Sequence, residues 1–233
     1  MKNYLFDVDG TLTPSRLSID PEFKSFFKKW IKNKNVFLVT GSDKEKTIEQ
    51  VGKDIWLSVT RVYQSCGNQV LENGKLIKEN HFYISDELKN ELKKYLNSSK
   101  WKERFGNHFE QRVGLVNFSI IGRDCPQNKR QEYYLWDQKH EERKKICQHI
   151  MSEFKNIEAS IGGEISIDIY EKNKNKAQVL DDLNGDIIFF GDRCEPGGND
   201  FPIVEQIFWL IDEHTIHSVN DWTETHNILK NLY

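Results

Sequence analysis

The sequence has no apolar run near the ~18–20 residues that a bilayer-spanning helix needs, so a membrane partner is not expected. Only one basic residue, Lys2, precedes the first apolar stretch, and a signal peptide is likewise not expected. Cysteine is scarce. The four present, Cys66, Cys125, Cys147 and Cys194, show no CxxC spacing, which argues against a disulfide framework or a thiolate zinc site and suits a reducing, cytoplasmic setting. An excess of one charge is also lacking. The formal net charge of −3 supplies no basic field, so nucleic acid is not an expected partner. The pairs Lys28-Lys29, Lys93-Lys94 and Lys144-Lys145 are scattered and read as solvated helix faces. There is no internal repeat and no low-complexity tract. What remains is a chain of 233 residues, 37% hydrophobic and 30% charged, long enough for one sizeable core or for two smaller domains sharing a cleft.

The organising stretch is Asp7-Val8-Asp9-Gly10-Thr11-Leu12-Thr13, directly after the apolar run Tyr4-Leu5-Phe6. That run reads as a buried strand of a parallel sheet. Two carboxylates this close repel unless a cation or proton is shared, and a divalent metal that prefers hard oxygen ligands, such as Mg²⁺, removes the conflict. One carboxylate is then free to attack phosphorus while the other handles a proton. The heptad resembles the first motif of the haloacid dehalogenase superfamily of phosphotransferases. The resemblance implies that Asp7 is the nucleophile that becomes an aspartyl phosphate and Asp9 the general acid/base.

Farther along, Asp20-Pro21 predicts a helix start, followed by apolar residues at helical spacing from Phe23 to Ile31. Val36-Phe37-Leu38-Val39 predicts a second buried strand ending at Thr40-Gly41-Ser42-Asp43. A strand–helix–strand unit brings both strand ends to one ligand-binding edge of a doubly wound sheet. A hydroxyl there suits a phosphoryl oxygen, and both Thr40 and Ser42 qualify; either also reads as a helix N-cap. A helix over 44–53, a third strand near Val62-Tyr63 and a hairpin at Asn73-Gly74 follow. Residues 81–174 then change character, with helical stretches near 86–104 and 127–155 and alternating segments at Phe109–Ile120 and Ile161–Tyr170. The pattern predicts an α+β cap inserted in an α/β core formed by 1–80 and 175–233. A strand at 186–191, another near 216–219 and a helix over 222–232 complete that core. Gly191-Asp192 and the glycine-rich loop to Asn199-Asp200 add two acids at the same sheet edge.

Within the insertion, Arg112, Arg123 and Arg130 each adjoin a strand or turn, and planar guanidinium groups suit phosphate oxygens. Ser166 and Asp168 are two apart on a strand and share a face suited to sugar hydroxyls. The runs Ile121-Gly122-Arg123-Asp124-Cys125-Pro126-Gln127-Asn128-Lys129-Arg130 and Ser160-Ile161-Gly162-Gly163-Glu164-Ile165-Ser166-Ile167-Asp168 are similar to the cap of eukaryotic-type phosphomannomutases. This resemblance implies a Rossmann-like haloacid dehalogenase core with a substrate-binding cap. It also implies interconversion of mannose 6-phosphate and mannose 1-phosphate through a hexose 1,6-bisphosphate, feeding GDP-mannose synthesis. By the same resemblance, Arg112, Arg123 and Arg130 hold the distal phosphate, Ser166 and Asp168 the sugar, and Arg16 contacts substrate from the core. The resemblance further implies that Lys176 is the catalytic lysine and that Mg²⁺ is held by Asp7, Asp192 and the backbone carbonyl of Asp9, with Asp200 as a further or supporting ligand. A hexose phosphate substrate and a homodimer through the cap complete the expectation. The departures are Asn173-Lys174-Asn175, Ser65-Cys66-Gly67 and Glu164, which stand where the family has Gly-Trp-Asp, Glu-Asn-Gly and Gln. The rivals are a sugar-phosphate phosphatase of the same fold and a non-catalytic sugar-phosphate binder.

Overall fold

Strand β1 (Asn3–Asp7) ends in three buried residues, Leu5, Phe6 and Asp7, which sets a carboxylate at the end of an apolar strand. The computed structural model describes residues 2–210 and 213–232. Two compact units divide the chain, Met1–Glu79 with Lys174–Tyr233, and Asn80–Asn173. After β1, helix α1 (Pro21–Trp30) starts where Asp20 accepts hydrogen bonds from the backbone of Glu22 and Phe23. Its buried Phe23, Phe27 and Trp30 recur at helical spacing and face the core. Strand β2 (Asn35–Val39) leads to α2 (Lys44–Val51) and α3 (Lys53–Ser58). The single helix expected over 44–53 stops at Val51, because Gly52 adopts φ 86° and starts a second helix. Strand β3 (Arg61–Gln64) follows, then the hairpin β4 (Gln69–Glu72) and β5 (Lys75–Glu79), with Asn73 and Gly74 both at positive φ in its turn.

The second unit contains α4 (Asp86–Ser98), β6 (Phe109–Arg112), β7 (Leu115–Phe118), α5 (Gln127–His140), α6 (Glu142–Glu153), β8 (Ile157–Gly162) and β9 (Ser166–Glu171). Its four strands form an antiparallel sheet in the order β6-β7-β9-β8. Phe118, Ala159, Ile167 and Ile169 pack with Leu88 and Leu92 of α4 and Ile146 and Ile150 of α6 in one apolar cluster. Alternation leaves the polar row Glu110, Asn117, Asp168 and Ser160, aligned across all four strands, on the other face. Three expectations change here. The stretch 86–104 is helical only to Ser98, and Arg104 folds back to donate to the carbonyl of Leu96. The stretch 127–155 is two helices, broken where Glu141 takes φ 52°. Each alternating segment spans parts of two strands, because turns at Val113-Gly114 and Gly163–Ile165 reverse the chain.

The chain returns to the first unit through a 3₁₀ helix at Lys176–Asp182, then β10 (Ile187–Gly191), α7 (Phe201–Ile207), β11 (Thr215–Ser218) and α8 (Trp222–Asn231). The seven-stranded sheet runs β11-β10-β1-β2-β3-β4-β5, parallel from β11 to β3 and antiparallel beyond. Its central parallel strands β10, β1 and β2 are apolar on both faces. Phe6, Leu38 and Phe190 join one cluster; Leu5, Phe37, Val39 and Phe189 join another. The chain leaves β1 toward β2 on one side and comes back as β10 on the other. The carboxyl end of β1 is therefore the topological switch point, where ligands of such sheets bind. Among the described residues, no helix is long and apolar enough to cross a membrane.

Candidate active site

Asp7 closes β1, and Asp192 directly follows β10, the strand hydrogen-bonded beside it. Gly10 makes their approach possible. It adopts φ 84°, and a Cβ there would collide with the Asp192 carboxylate. Asp200, buried just before α7, completes a group whose carboxylate oxygens lie within 4.8 Å of one another. Lys176 opens the 3₁₀ helix, whose first turn is capped by Asn175. Its Nζ donates to Asp7 Oδ1 at 2.6 Å and to Asp200 Oδ1 at 2.7 Å, and only 1% of its side chain is exposed. Asp200 also accepts from the backbone of Arg193, and Thr11 Oγ1 donates to Asp7 Oδ2 at 3.1 Å.

Three carboxylates against one ammonium leave two negative charges uncompensated in a buried place. Burial raises the Asp7 carboxyl well above the carboxylate range; Asp200 and Asp192 add to the rise, and Lys176 opposes it. Burial and the Asp200 charge push Asp192 up to about 6. For Lys176, burial favours the neutral amine, but the charges of Asp200 and Asp7 outweigh it and hold the ammonium above the ordinary lysine range. Hard oxygen donors, close spacing and unbalanced negative charge fit a divalent cation.

Asp9 points elsewhere. Its Oδ1 accepts from the backbone of Arg16 at 2.7 Å and from Gln50 Nε2 at 2.8 Å, so its carboxylate stands outside the Asp7–Asp192–Asp200 group. The turn at Gly10 separates the two acids of the motif into different surroundings. Arg16 is exposed and takes φ 62°, a left-handed conformation that aims its N–H at Asp9. Gln50, buried on α2, was not legible in the sequence; nothing local distinguishes it from any other helical glutamine. Thr40 follows β2 at the same sheet edge as Asp7. Its hydroxyl accepts from the backbone of Ser42 at 3.0 Å, while Asp43, rather than Thr40 or Ser42, caps α2.

In the second unit a polar cluster is built on the open face of the sheet. Arg112 Nε and Arg123 Nε grip opposite oxygens of Glu110, at 2.8 and 2.6 Å. Arg123 Nη1 also donates to Ser166 Oγ at 2.7 Å. Asp168 accepts from Asn117 Nδ2 at 2.6 Å, and a side chain at Gly162 would collide with its carboxylate. Arg130, in the first turn of α5, pairs with Glu164 Oε2 at 3.3 Å, and both Arg130 and Arg123 lie near the Cys125 thiol. Burial would raise Glu110, but the Arg112 hydrogen bond and the charges of Arg112 and Arg123 leave its carboxyl below the usual range. Asp168 is raised by burial against the pull of Asn117, Arg112 and Arg123. Beneath the cluster, the buried guanidinium of Arg143 binds Asp137 at 2.7 Å and donates to the carbonyls of Gly163 and Ser166. Glu110 was missed by sequence reasoning, although its place two residues before Arg112 on a strand gives both the same face. Asp137 and Arg143 carried no such signal.

A family model described as eukaryotic phosphomannomutase matches residues 23–233. A phosphomannomutase of Dendrobium officinale is 35% identical over 230 residues, covering 94% of this chain and 90% of that protein. One from Saccharomyces cerevisiae is 33% identical over 242 residues, covering 98% and 93%. Among solved structures, the C-terminal domain of a trehalose-6-phosphate phosphatase from C. albicans superposes with a TM-score of 0.62 at 14% identity, over 99% of this chain and 91% of that one. A haloacid dehalogenase-like hydrolase from Bacteroides thetaiotaomicron does so at 0.62 and 11%, over 100% and 99%. These two show a shared fold, that of a Rossmann-like core with a cap. The chain belongs to the eukaryotic phosphomannomutase family.

Proposed function

We propose, with that membership as premise, that the protein is a Mg²⁺-dependent phosphomutase interconverting mannose 6-phosphate and mannose 1-phosphate in the cytoplasm. The observation that carries the reading is the buried Asp7 carboxylate, hydrogen-bonded to Lys176 within a group that holds more negative than positive charge. Asp7, Asp192 and Asp200 would hold Mg²⁺, with Asp9 contributing its backbone carbonyl. Bound there, the ion would neutralise charge on the carboxylates and the phosphoryl oxygens.

In the first half-reaction an oxygen of Asp7 attacks phosphorus of a hexose 1,6-bisphosphate. The P–O bond to the sugar breaks, and Asp9 donates a proton to the leaving sugar oxygen. In the second, Asp9 removes a proton from the hydroxyl of a hexose monophosphate, whose oxygen takes the phosphoryl group from Asp7. Gln50 and the Arg16 backbone fix the Asp9 carboxylate through both steps. Lys176 offsets charge on Asp7, and Thr40 or Ser42 donates to the transferring phosphoryl group. Arg112, Arg123 and Arg130 take the phosphate that is not reacting, and Ser166 and Asp168 take sugar hydroxyls; Arg16 adds a contact to substrate. A guanidinium cluster suits this task because it recognises phosphate whichever sugar carbon bears it. A homodimer through the second unit completes the reading.

The test is ³¹P NMR of the protein with mannose 6-phosphate and Mg²⁺, with and without added hexose 1,6-bisphosphate. Mannose 1-phosphate should form, faster with the bisphosphate. Release of inorganic phosphate with no isomer would replace the mutase with a sugar-phosphate phosphatase.

A further inference from the structure

The arginines of the second unit are not open cations waiting for an anion. Arg112 and Arg123 share Glu110, which uses both oxygens at 2.8 and 2.6 Å. Arg130 is paired with Glu164 through a single 3.3 Å contact, the longest of the three. Three guanidinium groups therefore face Glu110, Glu164 and Asp168, and the formal charges cancel. A phosphate that binds here must change at least one of these pairings.

Glu164 is the carboxylate placed to yield. Its side chain is 38% exposed while that of Arg130 is 11% exposed, so the acid has water to move into and the arginine does not. Glu110, gripped from two sides, would lose two short charge-assisted bonds; Glu164 would lose one long one. The backbone around Glu164 is fixed independently of this pair. Arg143, itself buried and bound to Asp137, donates to Gly163 O at 2.9 Å and to Ser166 O at 3.3 Å. Those carbonyls flank Glu164 on either side of the β8–β9 turn. The clamp fixes the backbone that carries Glu164, while its side chain, 38% exposed, has room to rotate.

We propose that Glu164 is a built-in counter-anion: it occupies Arg130 in the free protein, swings into solvent when phosphate takes its place, and so weakens phosphate binding and selects for doubly charged ligands. It is a positioning and specificity residue, with no part in bond making. The inference rests on the assignment of these arginines to phosphate binding, but not on the transfer step itself.

The experiment uses the full chain and two probes, inorganic phosphate by calorimetry and mannose 6-phosphate by steady-state kinetics. Glu164→Gln keeps the size of the side chain and removes its charge. It should tighten phosphate binding and lower KM by about three- to tenfold, the scale of one partly screened charge, with kcat unchanged. Sulfate, measured at the pH where phosphate is mostly dianionic, should gain equally, and dimethyl phosphate, which carries a single charge, should gain more, because the variant no longer discriminates against it. In an Arg130→Ala background the gain should vanish, because the carboxylate has nothing left to block; a purely structural effect of the substitution would persist. Unchanged or weaker phosphate affinity in Glu164→Gln, or a gain that survives Arg130→Ala, overturns the inference. If no hexose phosphate is isomerised by either protein, yet Glu164→Gln binds phosphate more tightly through Arg130, the mutase reading fails and the counter-anion stands.

Discussion

The two units handle charge in opposite ways. In the first, Asp7, Asp192 and Asp200 crowd around one ammonium in a buried place, and negative charge is left over. In the second, Arg112, Arg123 and Arg130 are matched by Glu110, Glu164 and Asp168 on a sheet face open enough for side chains to move. The first arrangement is short of positive charge and suits a bound cation. The second is neutral by itself and suits a ligand that exchanges one charge pairing for another. Buried charge without a partner is costly, whereas a pair with one partly exposed member, such as Arg130–Glu164, gives way more readily.

The largest test of this contrast removes Asp7, the proposed nucleophile. Asp7→Asn should lower turnover by at least about 10³-fold. Because it also removes one of the crowded negative charges, it should leave the thermal midpoint of the metal-free protein unchanged or higher. A variant that turns over normally would break the assignment of the first unit. Mg²⁺ should raise the wild-type midpoint through selective binding to the folded state, and Asp192→Asn should abolish that rise.

In the second unit, Arg123→Ala removes bonds to both Glu110 and Ser166. KM should rise about tenfold or more, the scale of a lost hydrogen bond to a charged group, with kcat within a few-fold of wild type. An equal loss in kcat with KM unchanged would place Arg123 in the chemical step and blur the division between the units. Smaller still is Gln50→Leu, which frees one side of the Asp9 carboxylate. A kcat about tenfold lower at unchanged KM, with a shifted pH–rate profile, is the expected result.

The smallest effect concerns the first unit's core. His217 stacks on Phe190 and His226 on Phe23, and burial pushes both imidazoles below their ordinary value, with Lys230 adding to the shift of His226. As pH falls through about 6.5 the unfolded chain's histidines take up protons that the folded ones refuse, so the contribution of these two residues is full above that value and declines below it, opposite in sign to that of the raised Asp7 and Asp192 carboxyls. The difference in melting midpoint between the wild type and His226→Phe, followed from pH 5 to 8, should show this decline.

Much of the first unit was legible because parallel strands buried on both faces leave unbroken apolar runs, as at 36–39 and 187–190, with acids and hydroxyls directly after them. The second unit was harder. Its strands are half-polar, and its turns at Gly114 and Gly163 lie inside runs that look continuous, so two hairpin strands read as one segment. The break at Glu141 has no glycine or proline to announce it. Gln50 and Arg143 escaped for another reason. Each matters only through a partner that local pattern does not disclose, as with Gln50 and Asp9, which are far apart in the chain.

By itself, then, the sequence determined which chemical groups are available and, through apolar periodicity, that the Asp7 and Asp192 motifs end strands of a buried sheet. Those are local properties, dictated by side-chain hydrophobicity and by the turn that only Gly10 permits. The tertiary structure alone decided how the charges are shared: that Lys176 bridges Asp7 and Asp200, that Asp9 turns away to Gln50, and that Glu164 rests on Arg130. Charge pairing depends on distance and burial, and both are set only when segments remote in the chain are packed together.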